Sequence, residues 1–223
     1  MLERYSRLLQ LSDFSKEKLS LLQSTKVLIV GSGGVGQNIS LELVSNGFEN
    51  ITIIDFDKVE ISNLNRQVLL TENDLGKNKV EVVKKALEAR NKDAKITAIN
   101  AKIDKDNVDK YLKGFDIVID ATDNWPSKLI ISDYIKKING TLLHIGVDGY
   151  VGQFVIFKNK SLRDIVDEKV FASKKDGVSG PMVSTISSLA ALNLIDYITK
   201  ENLSSDVLYF YDHKAQNFSK IKL

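Results

Sequence analysis

Cysteine is missing altogether from these 223 residues. A chain without thiols forms no disulfide, offers no thiolate nucleophile or persulfide, and gives no sulfur to a zinc ribbon. Proline occurs only twice, at Pro126 and Pro181, and neither repeats nor low-complexity tracts are present, so nothing marks a linker between independent domains. An excess of one charge is lacking too: 31 Lys and Arg against 29 Asp and Glu leave +2 at pH 7. That balance argues against a nucleic-acid or membrane-surface binder held by electrostatics, and the run Lys84, Lys85 reads as a solvated helix face. No run approaches the roughly 18 apolar residues of a membrane span. The opening "MLERYSRLLQ" has no small-residue cleavage site behind an apolar stretch. The expectation is a soluble cytoplasmic protein.

What the chain does have is apolar area and alternation. Hydrophobic residues make up 43% of it, enough at this length for one α/β core. "KVLIV" (26–30), "ITIID" (51–55), "ITAINA" (96–101), "FDIVIDA" (115–121) and "TLLHIG" (141–146) are nearly continuous, β-branched runs of the kind buried parallel strands require. Helical patterns separate them at about 35–46, 77–90, 105–112 and 126–138, which is the doubly wound order. From Gln153 the pattern changes. "GQFVIF" follows the fifth strand after only "VDGYVG", a hairpin connection, so an antiparallel extension is expected. A charged stretch leads to a helix from about Pro181 to Thr199, and "VLYFYD" and "FSKIKL" close the chain as two strands. The predicted fold is a Rossmann-like α/β sheet, parallel in its N-terminal half, within one domain spanning 1–223. Its parts are a helical segment (1–25), a nucleotide-binding half (26–146), and a mixed-sheet half (147–223) with a crossover segment at about 158–180.

"GSGGVGQ" (31–37) sits between the first strand and first helix of that pattern. Gly31 allows a tight exit from the strand, Gly33 lets backbone approach a phosphate or ribose, and Gly36 permits close helix–strand packing. Asp55 ends the second strand, where a carboxylate can accept both ribose hydroxyls, of NAD as readily as of ATP. The following "DFDKVEISNLNRQ" and "DLGKNKV" place Asp57, Asn63, Arg66, Gln67 and Lys79 just beyond the ribose position. Such cations suit a triphosphate better than a pyrophosphate already met by a helix N-terminus. Asp123, at the carboxyl end of the fourth strand, can bind Mg²⁺ through oxygen. Asn124 ahead of Trp125-Pro126 reads as a helix N-cap beside the same nucleotide. His144 on a buried strand and His213 beside Asp212 read as structural.

An ordered series of motifs now spans almost the whole chain: "RYSR" (4–7), "GSGGVGQ", "DFDKVEISNLNRQ" (55–67), "GKNK" (76–79), "DATDN" (120–124) and "GVSGPMVSTISSLAALNLIDYI" (177–198). In this it resembles the ThiF/MoeB/HesA family, relatives of the ubiquitin-activating enzymes. The resemblance implies ATP-dependent adenylation of a C-terminal carboxylate, usually the Gly-Gly tail of a ubiquitin-like sulfur carrier in thiamin or molybdopterin biosynthesis, with release of pyrophosphate. It implies that Gly31, Gly33, Gly34 and Gly36 line the adenosine and α-phosphate, that Asp55 binds ribose, that Asn63, Arg66 and Lys79 hold phosphates, and that Asp123 holds Mg²⁺. Arg7 would reach the γ-phosphate bound by the other subunit of a homodimer. An ionised carboxylate attacks phosphorus without a general base, so no His or Ser constellation need accompany the site.

The sequence departs from the family pattern where many members carry Cys-x-x-Cys pairs for zinc and a further cysteine in the crossover. Zinc and a thioester step on this chain are excluded, and sulfur delivery falls to a separate donor. Lys128 stands where an arginine often follows "DxTDN", and Leu8 replaces a usual glutamine. Three other readings remain: the same fold activating a short precursor peptide or a tRNA-linked amino acid; an NAD-dependent oxidoreductase, which leaves Arg66, Lys79 and Asp123 without a task; and a non-catalytic partner subunit, against which every proposed nucleotide-contacting position is present.

Overall fold

Strands β1 (Lys26–Val30), β2 (Asn50–Asp55), β3 (Lys95–Asn100), β4 (Ile117–Asp120) and β5 (Leu142–Asp148) run parallel in the computed structural model, which describes residues 2–167, 177–200 and 205–223. Strands β6 (Val151–Phe157), β7 (Val207–Asp212) and β8 (Asn217–Lys222) then add antiparallel. Together they form one eight-stranded sheet in the order β3-β2-β1-β4-β5-β6-β7-β8. Strand order reverses at β1, with β2 on one side and β4 on the other. A doubly wound sheet opens its ligand crevice at that point.

Alternating side chains divide between two cores. Val27, Ile29, Ile117, Ile119, Leu143 and Ile145 face α2 (Gly34–Ser45), α3 (Lys79–Arg90) and α6 (Gly180–Thr199). Leu28, Val30, Val118 and Leu142 face α4 (Val108–Leu112) and α5 (Trp125–Lys137). Asp120 and His144 pair in register at the ends of β4 and β5. By the two-residue period they stand on the α5 face, in line with Val118 and Leu142.

The predicted elements are all present, with shifted ends. The helix expected at 105 starts at Val108 because Asp104 Oδ1 accepts the amides of Asp106 and Asn107, an Asx turn that competes with the first helical turn. The "VDGYVG" hairpin forms, with Gly149 at φ +56° between the paired Asp148 and Val151. The N-terminal segment is helical only over α1 (Lys16–Ser24) and two short 3-10 turns. Residues 168–176 of the expected crossover lie outside the described residues. One expectation is corrected: α6 is long and apolar enough to cross a membrane by length and composition. Met182, Val183, Ile186, Ala190 and Leu194 bury a stripe at helical spacing against the sheet and α2, which is the pattern of a core helix.

Candidate active site

The Gly-rich turn is shaped by contacts that exclude side chains. Gly31 has φ +96°, a left-handed conformation that other residues rarely adopt, and a Cβ there would lie 2.7 Å from the Ala121 carbonyl oxygen. At Gly36 a Cβ would land on the Gly31 carbonyl. Gly33 differs: a Cβ there would meet only Gln67 Nε2, at 3.9 Å, so its absence leaves room beside the cleft. Gly33 is also the N-cap of α2 and offers no side chain to the first helical amides. Those N–H groups, at the positive end of the helix dipole, are free to meet an anion.

Over this turn opens a cleft of about 460 Å³, the size range of small-ligand sites. Asp55, 8% exposed, lines it from the end of β2. Its Oδ2 accepts the Ser32 amide at 2.6 Å and its Oδ1 the Asp57 amide at 2.8 Å, which fixes the carboxylate while leaving lone pairs unused. Lys79 is 3% exposed, its Nζ 3.2 Å from Asp57 Oδ2. Arg66 donates through Nη1 to the Ser62 carbonyl and Asn65 Oδ1, both at 2.9 Å. Asn63 Oδ1 accepts the Glu60 amide, and Gln67 Oε1 accepts from Gln37 Nε2. All six side chains line the cleft, as do Gly31, Gly33 and Gly34.

Asp123 and Asn124 line it from the loop after β4. Asn124 Oδ1 accepts the Ser127 amide at 3.0 Å, the expected cap, with Pro126 in the first turn of α5. Asp123 is exposed, and its Oδ1 takes one long hydrogen bond from Asn124 Nδ2 at 3.4 Å. Of the predicted site residues, only Gly36 and Arg7 do not line the cleft. Gly36 supports the turn from behind. Arg7 is exposed and donates to Gln10 Oε1 at 3.3 Å.

Beneath the β4–β5 side of the cleft lies a buried charged network. Asp120, with no exposed surface, accepts the Thr122 amide and hydroxyl at Oδ1 (3.0 and 2.6 Å). At Oδ2 it meets His144 Nδ1 at 2.7 Å and Lys128 Nζ at 3.3 Å. Lys128 Nζ also reaches the Ile145 carbonyl at 3.4 Å. Burial pushes the Asp120 carboxyl up, but Lys128 and the hydrogen bonds from His144 and Thr122 outweigh it and hold the group well below the usual carboxylate range. Burial, then Lys128, lowers the His144 pKa, with Asp120 opposing.

Residues 5–223 match the ThiF family. The chain belongs to the ThiF family. Its adenylyltransferases of ThiF/MoeB type include the molybdopterin-synthase adenylyltransferase of Haemophilus influenzae, 33% identical over 229 residues that cover 99% of this chain and 94% of that one. The adenylyltransferase and sulfurtransferase MOCS3 of Culex quinquefasciatus is 31% identical over 99% of this chain, which spans about half (52%) of that relative. Among solved structures, E. coli MccB with AMPCPP and selenomethionine MccA superposes with a TM-score of 0.86 at 26% identity, over 98% of this chain and 71% of MccB.

In "DATDN" the sequence pattern marks Asp123 and Asn124 as site residues, whereas Asp120 of the same motif is the centre of the buried network. The only signal for the network was indirect: a histidine and a lysine at positions that were otherwise apolar, on strand β5 and on the inner face of α5.

Proposed function

We propose that this chain activates a C-terminal carboxylate by adenylation. The acceptor carboxylate oxygen bonds to the α-phosphorus of ATP, the bond to the β-phosphate bridge breaks, and pyrophosphate leaves. The observation that supports this best is the convergence, in one cleft, of the uncapped α2 N-terminus, Arg66, buried Lys79 and Asp123. Two anions must be brought together for this reaction, and fixed cations and amides lower that cost. In this reading Asp55 accepts the ribose hydroxyls, and Asn63, Arg66 and Lys79 hold phosphates.

The residues also fit Mg²⁺. Among the described residues no three acidic or His side chains gather into a cage, and Mg²⁺ commonly takes one or two carboxylates plus phosphate oxygens and water. Asp123 would hold it, and the ion would supply charge neutralisation at the phosphates.

For the acceptor we favour a ubiquitin-like sulfur carrier ending in Gly-Gly, in keeping with relatives named molybdopterin-synthase adenylyltransferase and, in Thermus thermophilus, sulfur carrier protein adenylyltransferase. Without cysteine the chain stops at the acyl-adenylate, and a separate protein donates sulfur. The likeness to MccB bound to MccA supports a second reading, a short peptide as acceptor. Arg7, which does not line the cleft of its own chain, is assigned in this reading to the cleft of a second copy in a homodimer, and the setting is the cytoplasm.

The test is exchange of labelled pyrophosphate into ATP, with Mg²⁺ and either a Gly-Gly-tailed carrier or short peptides. Exchange with peptides alone selects the second reading, and none with any acceptor refutes adenylation. Arg7→Ala and Arg66→Ala, each inactive, should on mixing regain roughly a quarter of wild-type activity through heterodimers with one intact site.

A further inference from the structure

His144 is a buried polar group of the cleft lining that adenylation leaves without a task. It is 1% exposed, lines the cleft, and its Nδ1 lies 2.7 Å from an ionised carboxylate. Nδ1 must therefore bear the ring proton, and Nε2 carries a lone pair. Nε2 has no partner among the described residues, yet it is not sealed in. Ser32 Oγ is the one described side-chain atom both unpaired and closed from solvent. What little of the imidazole is accessible thus belongs to the cleft.

The opening can be located. A methyl group on Gly146 would lie 3.6 Å from His144 Nε2 and 3.4 Å from Gln153 Nε2. The imidazole lone pair and the Gln153 carboxamide therefore flank a gap that exists because residue 146 is glycine. This gap is on β5, two strands from Gly31 and three from Asp55 in the sheet order. A lone pair repels phosphate oxygens and selects an N–H or O–H donor. Of the reactants in the proposed adenylation, on which this inference rests, an extended acceptor tail presents such a donor in every peptide bond.

We propose that His144 reads the acceptor: its Nε2 accepts the N–H of the peptide bond that precedes the adenylated terminal residue, while Asp120 and Lys128 hold the ring in place. The ring removes no proton, since a carboxylate nucleophile has none to lose. It is a binding group, and its loss belongs in the acceptor KM.

His144→Asn separates the two edges of the ring. The asparagine amide can still donate to Asp120 from the Nδ1 position but has no atom at Nε2. The probe is a seven-residue peptide ending in Gly-Gly, used free and ligated to a ubiquitin-like body, together with the same probes ending in Gly-sarcosine, in which a methyl replaces the critical N–H. On pyrophosphate exchange, H144N should raise the acceptor KM about three- to tenfold, the size of one hydrogen bond, with the ATP KM unmoved. The sarcosine probe should show the same penalty on wild type and no further penalty on H144N. Gly146→Ala, which fills the gap from the other side and leaves the Asp120 network alone, should repeat that pattern and stands in if H144N fails to fold. Penalties that multiply in both variants would overturn the role of His144 while leaving adenylation intact. Absence of exchange with every probe on wild type would overturn adenylation itself, and this inference with it.

Discussion

The two ends of the cleft are built by different means. At the β1–β2 end the polar groups come from backbone, from a connection and from the tips of elements: the α2 amides, an Asp55 carboxylate at the end of β2 pinned by two amides, Arg66 between β2 and α3, and Lys79 at the start of α3. At the β4–β5 end they are side chains of regular elements, Asp120, Lys128 and His144, packed out of water and satisfied by one another. The first arrangement leaves charges with capacity to spare for a ligand. The second spends its charges on itself and exposes one neutral lone pair. Substitutions at the first should therefore cost activity, and at the Asp120–Lys128 pair of the second stability.

Of the substitutions that compare the two ends, Asp123→Ala should give the largest effect, lowering adenylation on the order of 10³-fold through loss of the charge proposed to hold Mg²⁺. Since Asp123 is exposed and takes one 3.4 Å hydrogen bond, the melting temperature should hardly move. A lowered melting temperature with normal exchange per folded molecule would reverse the assignment.

Lys128→Met should do the opposite. It strands the Asp120 carboxylate with no exposed surface and without its cation, which costs about 3 kcal/mol in urea unfolding. Adding Asp120→Asn to it should recover much of the loss, because removing both charges is far cheaper than removing one. Equal losses in the single and double variants would show that the pair does not hold this end together.

The same contrast explains what was legible in the sequence. The loop-built end uses residues close together along the chain, Gly31 to Gly36 and Asp55 to Lys79, and turn chemistry leaves a local trace. The strands were legible for a similar reason, since a buried parallel strand is a continuous apolar run. The network was not, because its members lie 8 and 24 positions apart and meet only through the β4–β5 register and the pitch of α5. Arg7 was legible as a motif residue, but a single chain does not show what it reaches.

Asn124→Ala tests the border between the two ends. Its carboxamide caps α5 through Ser127, and its loss should cost about 1 kcal/mol of stability. Exchange activity per folded molecule should stay near wild type. A large activity loss at unchanged stability would move Asn124 from the cap to the nucleotide.

The smallest expected effect is on pH dependence, and it isolates His144. Burial, then Lys128, lowers its folded pKa below the ordinary 6.5, against the pull of Asp120. The unfolded chain takes up a proton near pH 6.5 that the folded chain refuses, so below that pH the unfolded state binds more protons. The contribution of the neutral imidazole is thus fully present above about pH 6.5. It is lost as pH falls from there toward the folded value. Asp120, also lowered, acts in the same direction but in a more acid window, below about pH 4. Wild type should therefore lose stability between pH 7 and 5 more steeply than His144→Asn, which has nothing to titrate at that position. His213 is common to both proteins and cancels in the difference. Urea unfolding at pH 7, 6 and 5 measures the two slopes. Parallel slopes would mean that the ring at 144 binds its proton as readily folded as unfolded, and that it is not the neutral acceptor assigned to the acceptor end of the cleft.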